Sequence, residues 1–389
     1  MEIRLLEKSN SKAIRLFKKL PYRLYANNKF WVPPIPGEIE KVMSPEKHPF
    51  YTHSEADFFI VENKHEVLGR IAVIHNRHYC QYHNAKTAFF YYFESINDTE
   101  VTRMLFSAAE AWCLERGLDT IIGPKGFLRS QSPGLLVDGF DQLPAFGISY
   151  HLPYYQALIE DFGFVKSHDH FSGYLDHHPD EKIHMIAEKV LSRGNFEVRN
   201  FNDVHELIEW IPVVDKVQQK AFSDNPNFFP HSDQEFDLLA KNILALADPR
   251  FLKLILHNNE VAGFIIAYPN INHSLQRCKG RLFPFGWLLL RNEKSHPLIL
   301  DINGVGLLPE YQGLGGNALL YSELDKVIHS TRIKKAEIVQ VDERNLRSYA
   351  DMQKMGITFS KTHRTYIKKL EPQATPLEHR VVDGVQNLA

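Results

Sequence analysis

The residues best suited to chemistry lie in a glycine-rich turn, which follows a predicted strand and opens a predicted helix. The turn reads Gln312-Gly313-Leu314-Gly315-Gly316-Asn317-Ala318. The first backbone N–H groups of a helix have no partner within the helix, and the helix dipole adds partial positive charge at the same point. Glycines also let a ligand approach the backbone closely. The pattern predicts a pyrophosphate site, although such a turn also occurs as a plain strand–helix connection.

The same stretch lacks the two commonest nucleotide-binding patterns. No Gly-x-Gly-x-x-Gly follows an early strand with an acidic residue about 20 positions later, as dinucleotide-binding folds require. No Gly-Lys-Ser/Thr is present, so the sequence is not that of a nucleotide P-loop. If the turn binds a pyrophosphate, the site therefore belongs to a different class of fold.

The turn resembles motif A of the GNAT (Gcn5-related N-acetyltransferase) superfamily, whose pattern is Gln/Arg-x-x-Gly-x-Gly/Ala. Gln312 and Gly315 match this pattern, and Asn317 stands at its last position. Asn tolerates a left-handed backbone better than most residues, so this departure is mild. The resemblance continues into Asn345 and the helix that ends at Gly356.

Two positions of that second helix depart from the superfamily. Met352 occupies the place of a Tyr that commonly acts as general acid, and Ile357 replaces the usual Phe. Tyr349 lies one turn earlier on the same predicted helix and could substitute for the missing Tyr. The resemblance to an active acyltransferase therefore leaves the acid to be identified.

A narrower resemblance, to tandem GNAT-like bacterial proteins described mostly as N-acetyltransferases, covers nearly the whole chain. It rests on residues 31–34, 69–72, 123–124, 136–140, 153–155, 280–284 and 364–368. A fainter resemblance leads to long two-domain proteins implicated in N-acylating sphingoid bases. These likenesses imply an α/β (α+β layered) fold with two GNAT-like domains, each a mixed, mostly antiparallel twisted sheet flanked by helices.

Hydrophobic periodicity agrees with a divergent tandem repeat, because both halves show the same order of predicted strands and helices. The expected limits are 1–180 for a degenerate N-terminal domain, 190–370 for an acyl-CoA-binding domain and 371–389 for a tail. The first domain lacks the glycine turn. In its place, residues 94–100 bring carboxylates to a helix start, where they would compete with a pyrophosphate. We expect this domain to shape the acceptor site through a loop containing Arg129, Asp138 and Tyr155.

The resemblance implies a cofactor, acetyl-CoA or another acyl-CoA, that lies between the fourth and fifth strands of the second domain. Its pantetheine arm would pair with residues 301–307, and a backbone N–H near Val305 would polarise the thioester carbonyl. The expected cofactor-binding residues are Val305, Leu307, Gln312, Gly313, Leu314, Gly315, Gly316, Asn317, Ala318 and Asn345. No metal is expected, since the histidine-rich stretch 75–83 matches no standard zinc spacing.

Acyl transfer to an amine needs a base for the amine proton and often an acid for the leaving thiolate. Glu343 is the first candidate base and Asp301 the second, and a water relay is an alternative. Tyr349 is the candidate acid. The simpler interpretations are a surface carboxylate near a helix start for Glu343 and an ordinary amphipathic-helix residue for Tyr349.

The most apolar stretch, 281–290, reads as a buried strand, or alternatively as the lining of a site for a greasy acyl chain.

Composition limits the remaining classes of function and location. The formal net charge of -2 across 389 residues gives no basic excess for nucleic acid. Three dispersed cysteines, the charged N-terminus and the absence of an apolar run of roughly 20 residues indicate a cytoplasmic protein without a transmembrane segment.

The sequence therefore predicts an acyl-CoA-dependent N-acyltransferase, most simply an acetyltransferase, that acts on an amine of a small molecule or a lipid precursor. The alternatives are a non-catalytic CoA-binding or scaffold protein and a long-chain acyltransferase for a sphingoid-type amine. Transfer of an amino acid from a charged tRNA is disfavoured by the balanced charge. The oligomeric state stays open, and a homodimer is compatible with the sequence.

Overall fold

The computed structural model describes residues 1–131, 133–175 and 181–371. The predicted tail therefore lies outside the described residues except for its first position, and the domain limits 1–180 and 190–370 stay predictions. Within the described residues one sheet contains β1 (Glu2–Leu5), β2 (Glu55–Glu62), β3 (Val67–His75), β4 (Thr87–Ser95), β5 (Thr120–Gly123), β6 (Leu135–Asp138), β7 (Val165–Leu175), β8 (Glu197–Arg199), β9 (Leu252–His257), β10 (Glu260–Pro269), β11 (Ile299–Leu307), β12 (Lys335–Asp342) and β13 (Ile357–Lys369).

Helices cover both faces of this sheet. They are α1 (Ser11–Leu24), α2 (Glu38–Val42), α3 (Arg77–His83), α4 (Thr99–Glu115), α5 (Tyr155–Asp161), α6 (Glu181–Ser192), α7 (Val204–Ala221), α8 (Asp233–Leu246), α9 (Asn272–Arg277), α10 (Gly286–Ser295), α11 (Gly316–His329) and α12 (Leu346–Lys354). Side-chain caps fix several helix starts. Asp98 caps α4, Asp203 caps α7, and Ser232 with Glu235 forms a capping box on α8.

The strand order is β1-β2-β3-β4-β5-β13-β7-β12-β11-β10-β9-β8, with β6 paired to β13. Two pairs, β4–β5 and β11–β12, are parallel, and the other pairs are antiparallel. This confirms the predicted fold class. The strands of the two halves are joined into this one sheet, because β7 from the first half lies between β12 and β13 of the second half.

The exchanged strand β7 is held by close backbone approach and by a buried ion pair. A side chain at Gly173 would meet the carbonyl oxygen of Thr358 at 2.3 Å, so only glycine permits this spacing of β7 and β13. Lys361 on β13 reaches across β7 to Glu337 on β12, with Nζ and Oε1 2.6 Å apart and both side chains almost fully buried. Lys361 also donates to the hydroxyl of Tyr174 on β7 at 3.3 Å.

Apolar clusters pack between the helices and both faces of the sheet. In the second half, α6 and α11 cover one face of β9–β12, and α7 covers the other. In the first half, α4 and α5 cover one face, and α1 and α2 cover the other. Each half therefore has the layered arrangement that the helical periodicity predicts.

Three local expectations were wrong. The segment 123–147, whose Gly and Pro content predicts a long loop, contains β6, which pairs with β13. The last strand, which the sequence pattern predicts over Thr362–Lys368, begins earlier, at Ile357. The apolar stretch 281–290 is an exposed turn leading into α10, and Phe283 is 88% exposed, so its favoured interpretation as a buried strand fails. Apolar composition alone cannot distinguish burial in the core from a surface used for contact.

We predict that Lys361→Ala lowers the free energy of unfolding by about 3–5 kcal/mol, because it leaves the Glu337 carboxylate buried without its cation. Denaturant unfolding measures this loss. Lys369→Ala, at the exposed end of the same strand, is the control and should cost less than about 1 kcal/mol. The double variant Glu337→Leu/Lys361→Met should regain most of the loss. Equal effects of the two single lysine variants would contradict a role for the buried pair.

Candidate functional site

The parallel strands β11 and β12 separate in the middle of the second half. Their pairing ends at Ile302 and Ile338, although both strands continue. Beyond that point β12 follows β7: Gln340 has a positive φ of 51° and its N–H donates to the Ser172 hydroxyl at 2.9 Å. The side-chain amide of Gln340 also donates to the Pro133 carbonyl at 2.8 Å. These contacts hold β12 away from β11 and open a wedge in the sheet.

The β11 side of the wedge contains two predicted cofactor residues. Val305 is half-buried and packs against the core under α11, while Leu307 is buried in that core. On its other edge β11 pairs with β10, including Val305 with Ile265. Beyond Ile302, no strand of the described residues pairs with the edge that faces the wedge. An extended ligand could therefore pair with this edge as an added strand.

The predicted glycine turn lies between the end of β11 and the start of α11. Gly313 and Gly315 have φ of 80° and 88°, values that favour glycine. A side chain at Gly315 would also meet Val190 of α6 at 2.6 Å. Among the described residues no side chain caps α11, and its first backbone N–H groups remain available. Gly316 is buried, whereas Leu314 is 51% exposed.

Polar side chains flank this turn. Gln312 donates through Nε2 to the Leu307 carbonyl at 3.3 Å and accepts a hydrogen bond from Arg347. Arg347 is exposed and adds a cation that the sequence did not single out. Asn317 and Ala318, in the first turn of α11, are partly exposed, and the amide of Asn317 lies 3.5 Å from a carboxylate oxygen of Asp351.

The other predicted residues on this side have structural partners. Asn345 caps α12 by accepting from the Ser348 N–H at 3.0 Å. Glu343 accepts from Lys166 at 2.8 Å, and its backbone N–H extends the pairing of β12 with β7. Tyr349 stacks on Phe359 with ring centroids 4.8 Å apart and contacts Phe171.

Asp301 lies on the opposite face of the sheet. Its neighbours Leu300 and Ile302 enter the core under α11, so the alternation of a strand directs Asp301 away from it. One carboxylate oxygen accepts from the Phe146 N–H at 2.7 Å and the other from the Asn270 side chain at 3.1 Å. Burial and the adjacent charge of Glu337 raise the pKa of Asp301 to about 7. Asp301 and Tyr349 are therefore not brought together in one cluster.

A buried polar cluster on the face that carries α7 and α8 was not predicted. His168 and His170 lie two residues apart on β7 and so share one face of the sheet, with ring centroids 4.8 Å apart. His168 Nε2 lies 3.3 Å from the amide of Asn227, in the loop between α7 and α8. That amide lies 3.4 Å from Asp342 at the end of β12, and Lys125 donates to the side-chain oxygen Oδ1 of Asn227 at 3.4 Å. The spacing His-x-His on a strand was the only local signal, and its partners come from distant segments.

Burial dominates the titration of this cluster. It lowers the pKa of His168 to about 4, that of His170 to about 3 and that of Lys125 to about 7. Both imidazoles are therefore neutral at physiological pH. Burial acts to raise the pKa of Asp342, but hydrogen bonds from Arg344 outweigh it and hold the pKa below its ordinary value. The cluster therefore places two neutral imidazoles beside one paired carboxylate.

Two groups of side chains have metal-ligating composition. The first consists of His168, His170 and Asp342, but Arg344 already binds both oxygens of Asp342, at 2.9 and 2.6 Å. The second consists of His53, His78 and Glu235. Its two imidazoles stack face to face at 3.6 Å, so their in-plane lone pairs do not converge on one point. Neither arrangement is that of a preformed cation site.

The acceptor-loop residues predicted for the first half have mixed positions. Tyr155 is fully buried and donates to Glu94, so it belongs to that half's core. Asp138 accepts from the Gly139 N–H at 2.9 Å, and Arg129 contacts the Phe229 carbonyl. The loop reaches the second half through Arg129, which also lies 4.0 Å from a carboxylate oxygen of Asp215, and through Phe146, whose N–H donates to Asp301.

Comparison with known proteins gives full-length relatives. No protein-family model matches the chain. The chain is 28% identical over 366 residues to a bacterial ceramide synthase of Caulobacter vibrioides, covering 92% of this chain and 95% of the relative. It is 26% identical over 369 residues to protein YghO of Escherichia coli K12, covering 93% and 94% of the two chains.

Solved structures give the fold. A tandem GNAT protein from the clavulanic acid biosynthesis pathway superposes with a TM-score of 0.56 at 12% identity, over 96% of this chain and all of that one (100%). A GCN5-related glucosamine N-acetyltransferase region of a fungal multi-domain enzyme gives 0.54 at 14% identity, over 94% of this chain and 38% of the other. The chain therefore has the tandem GNAT fold that its motifs predict.

Proposed function

We propose that this protein is an acyl-CoA-dependent N-acyltransferase. The observation that carries the proposal is the wedge between β11 and β12, which opens beside the uncapped, glycine-rich start of α11. An extended pantetheine arm fits the free edge of β11, and a pyrophosphate fits the first turn of α11. The full-length likeness to a ceramide synthase supports acyl transfer as the reaction class.

The cofactor contacts follow from this arrangement. The N–H near Val305 would polarise the thioester carbonyl, and the backbone of 312–318 would hold the pyrophosphate. Arg347, adjacent to Gln312, adds a charge-assisted contact to the phosphates. Asn345 contributes by fixing the start of α12 beside this turn. Bound acyl-CoA would supply the activated acyl group, and the remaining chemistry belongs to the side chains of the chain.

We infer that the acceptor is a long-chain, sphingoid-type amine. The match to the bacterial ceramide synthase covers 95% of that relative, and its name describes acylation of such an amine. A small soluble amine that receives an acetyl group is the second candidate, and it is favoured by the acetyltransferase folds among the structural neighbours. The two candidates differ in the length of both acyl donor and acceptor, so a donor series separates them.

Asp301 is the better-supported base of the two carboxylates. It lies one residue before the last paired position, Ile302, at the start of the wedge, and its pKa of about 7 suits a group that must accept a proton near neutrality. Glu343 is instead held by Lys166 near the surface. In the proposed step the amine nitrogen attacks the thioester carbon and Asp301 accepts the amine proton. The C–S bond then breaks, and Tyr349 or water protonates the thiolate to give amide and free CoA.

A non-catalytic CoA-binding protein is the alternative from another class. Met352, at the position where the superfamily commonly has its acid, is buried and accepts a hydrogen bond from Tyr321. A thioether has no proton to donate, so Met352 cannot act as the acid. Release of free CoA thiol in the presence of an amine distinguishes an enzyme from a binding protein that shows only CoA affinity.

We predict that Leu314→Glu weakens binding of acyl-CoA at least about tenfold, because it adds a carboxylate where the pyrophosphate would lie. Leu314 is 51% exposed, so the fold should tolerate the change. The measurement is the rise in melting temperature with CoA, acetyl-CoA and palmitoyl-CoA. Leu314→Gln is the matched uncharged control and should keep the rise. Loss of binding in both variants, or in neither, would sink the assignment of the phosphate site.

We further predict that Asp301→Asn lowers kcat/KM roughly 100-fold or more and abolishes its pH dependence near neutrality. Since the base must be deprotonated, wild-type kcat/KM should rise with pH until it passes the pKa of about 7. Glu343→Gln should keep this profile. If Glu343→Gln loses the pH dependence and Asp301→Asn keeps it, the base is Glu343. An unchanged thermal shift with CoA shows that each variant still binds the donor.

A further inference from the structure

The chain exposes a compact group of large apolar side chains between α9 and α10. Phe283 is 88% exposed and Phe285 is 70% exposed, the former being the most exposed large apolar side chain of the described residues. Leu282, Trp287 and Leu288 beside them are also exposed. Soluble monomers seldom place several large apolar residues together at the surface without a use for them. This group needs a partner that removes it from water.

The apolar group continues onto the first half of the chain. Gln276 of α9 donates to the carbonyls of Lys29 and Trp31, both at 2.9 Å. Gly280 lies so close to Tyr22 that a side chain there would meet its hydroxyl at 3.0 Å. Tyr22 is itself among the exposed large residues. We call Tyr22, Leu282, Phe283, Phe285, Trp287 and Leu288 the aromatic patch.

Basic side chains are concentrated in the segment that carries the aromatic patch. The segment 277–294 contains five cations and one carboxylate, namely Arg277, Lys279, Arg281, Arg291, Lys294 and Glu293. The first four are exposed, and within the described part of the chain none of them forms an ion pair. Glu293 is occupied, since it accepts from the Ser274 N–H at 2.7 Å. The whole chain has a formal net charge of -2, so this is a local concentration of positive charge.

We propose that the aromatic patch docks on the surface of an anionic lipid bilayer. Phe and Trp side chains bind at the boundary between headgroups and acyl chains, and the surrounding Lys and Arg side chains attract acidic headgroups. No helix in the described residues is long and apolar enough to cross a membrane, so the contact is peripheral. A protein partner could also cover the exposed apolar side chains, but apolar contact alone would not account for the four unpaired cations in the same segment.

The patch is connected to the proposed acceptor side of the active site. Asn270 donates to Asp301, and Asn272 at the start of α9 donates to the Pro144 carbonyl at 2.9 Å. The segment that carries the patch therefore begins beside Asp301. If the proposed function holds, docking would let a water-insoluble amine pass from the bilayer towards Asp301. Docking itself depends only on the exposed side chains and their charge.

The test is co-sedimentation of the full chain with vesicles of phosphatidylcholine containing about one third phosphatidylglycerol. No acyl donor or amine is present, so the result is independent of catalysis. We expect wild type to bind these vesicles, to bind phosphatidylcholine alone at least about tenfold more weakly, and to lose affinity with added salt. Failure of wild type to bind the anionic vesicles would overturn the proposal.

Two variants identify the surface. Phe283→Ser/Phe285→Ser should reduce vesicle binding at least about tenfold, because it removes most of the apolar contact. Arg281→Gln/Arg291→Gln should reduce binding to anionic vesicles and flatten the salt dependence. Ile208→Ser/Val213→Ser, which changes exposed apolar residues on α7, is the control and should bind as wild type does. An equal loss of vesicle binding in the control variant would contradict docking through the aromatic patch. Docking on a membrane would also be excluded if wild type bound no vesicles and instead formed concentration-dependent dimers that the Phe variant does not form.

A thermal-shift assay with CoA on the same variants separates this proposal from the proposed function. The patch variants should keep the CoA-induced shift, because the aromatic patch is distinct from the residues of the glycine turn. Vesicle binding without any response to CoA would uphold docking and reject the acyltransferase. A response to CoA without vesicle binding would reject docking alone.

Discussion

The placement of β7 between β12 and β13 is the constraint on which the rest of the molecule depends. Neither half can complete its sheet alone, because the first half needs β13 and the second needs β7. The buried pair of Lys361 and Glu337 spans the crossing. Its net contribution to stability is small once the cost of desolvating two charges is included, but a misregistered strand would leave both charges unpaired. The pair therefore favours one alignment of three strands from the two halves.

The same constraint creates the wedge. β12 cannot stay parallel to β11 over its full length while Gln340 is anchored to Ser172 of β7. The strand that joins the halves thus also pulls the fifth strand of the second half away from the fourth. On the α7–α8 face, β7 brings His168 and His170 into the cluster with Asn227 and Asp342. The proposed active site is in this sense a product of both halves, although only one carries the glycine turn.

Local signals allowed much of this to be predicted. The polar residues 63–66 predict the hairpin of β2 and β3, Asp98 predicts the start of α4, and the glycine turn predicts the start of α11; the structure contains all three. The strand exchange could not be predicted, because it depends on pairing between residues about 190 positions apart, such as His170 and His363. For the same reason the environment of Asp301 was hidden: its partner Phe146 lies in a loop of the other half. The interpretation of segment 281–290 as a buried strand failed for a different reason, because its apolar residues lie at the surface instead of in the core.

The distribution of charge gives the two faces of the second half different tasks. On the α11 side, open backbone N–H groups and Arg347 suit a highly charged cofactor. On the α7–α8 side, burial keeps His168 and His170 neutral and raises the pKa of Asp301. A protonated amine that enters such an environment is destabilised relative to its neutral form, which is the form that attacks a thioester. In the proposed reaction ionised Asp301 takes up this proton, so the burial that disfavours charge on this face also favours the neutral, nucleophilic form of the amine.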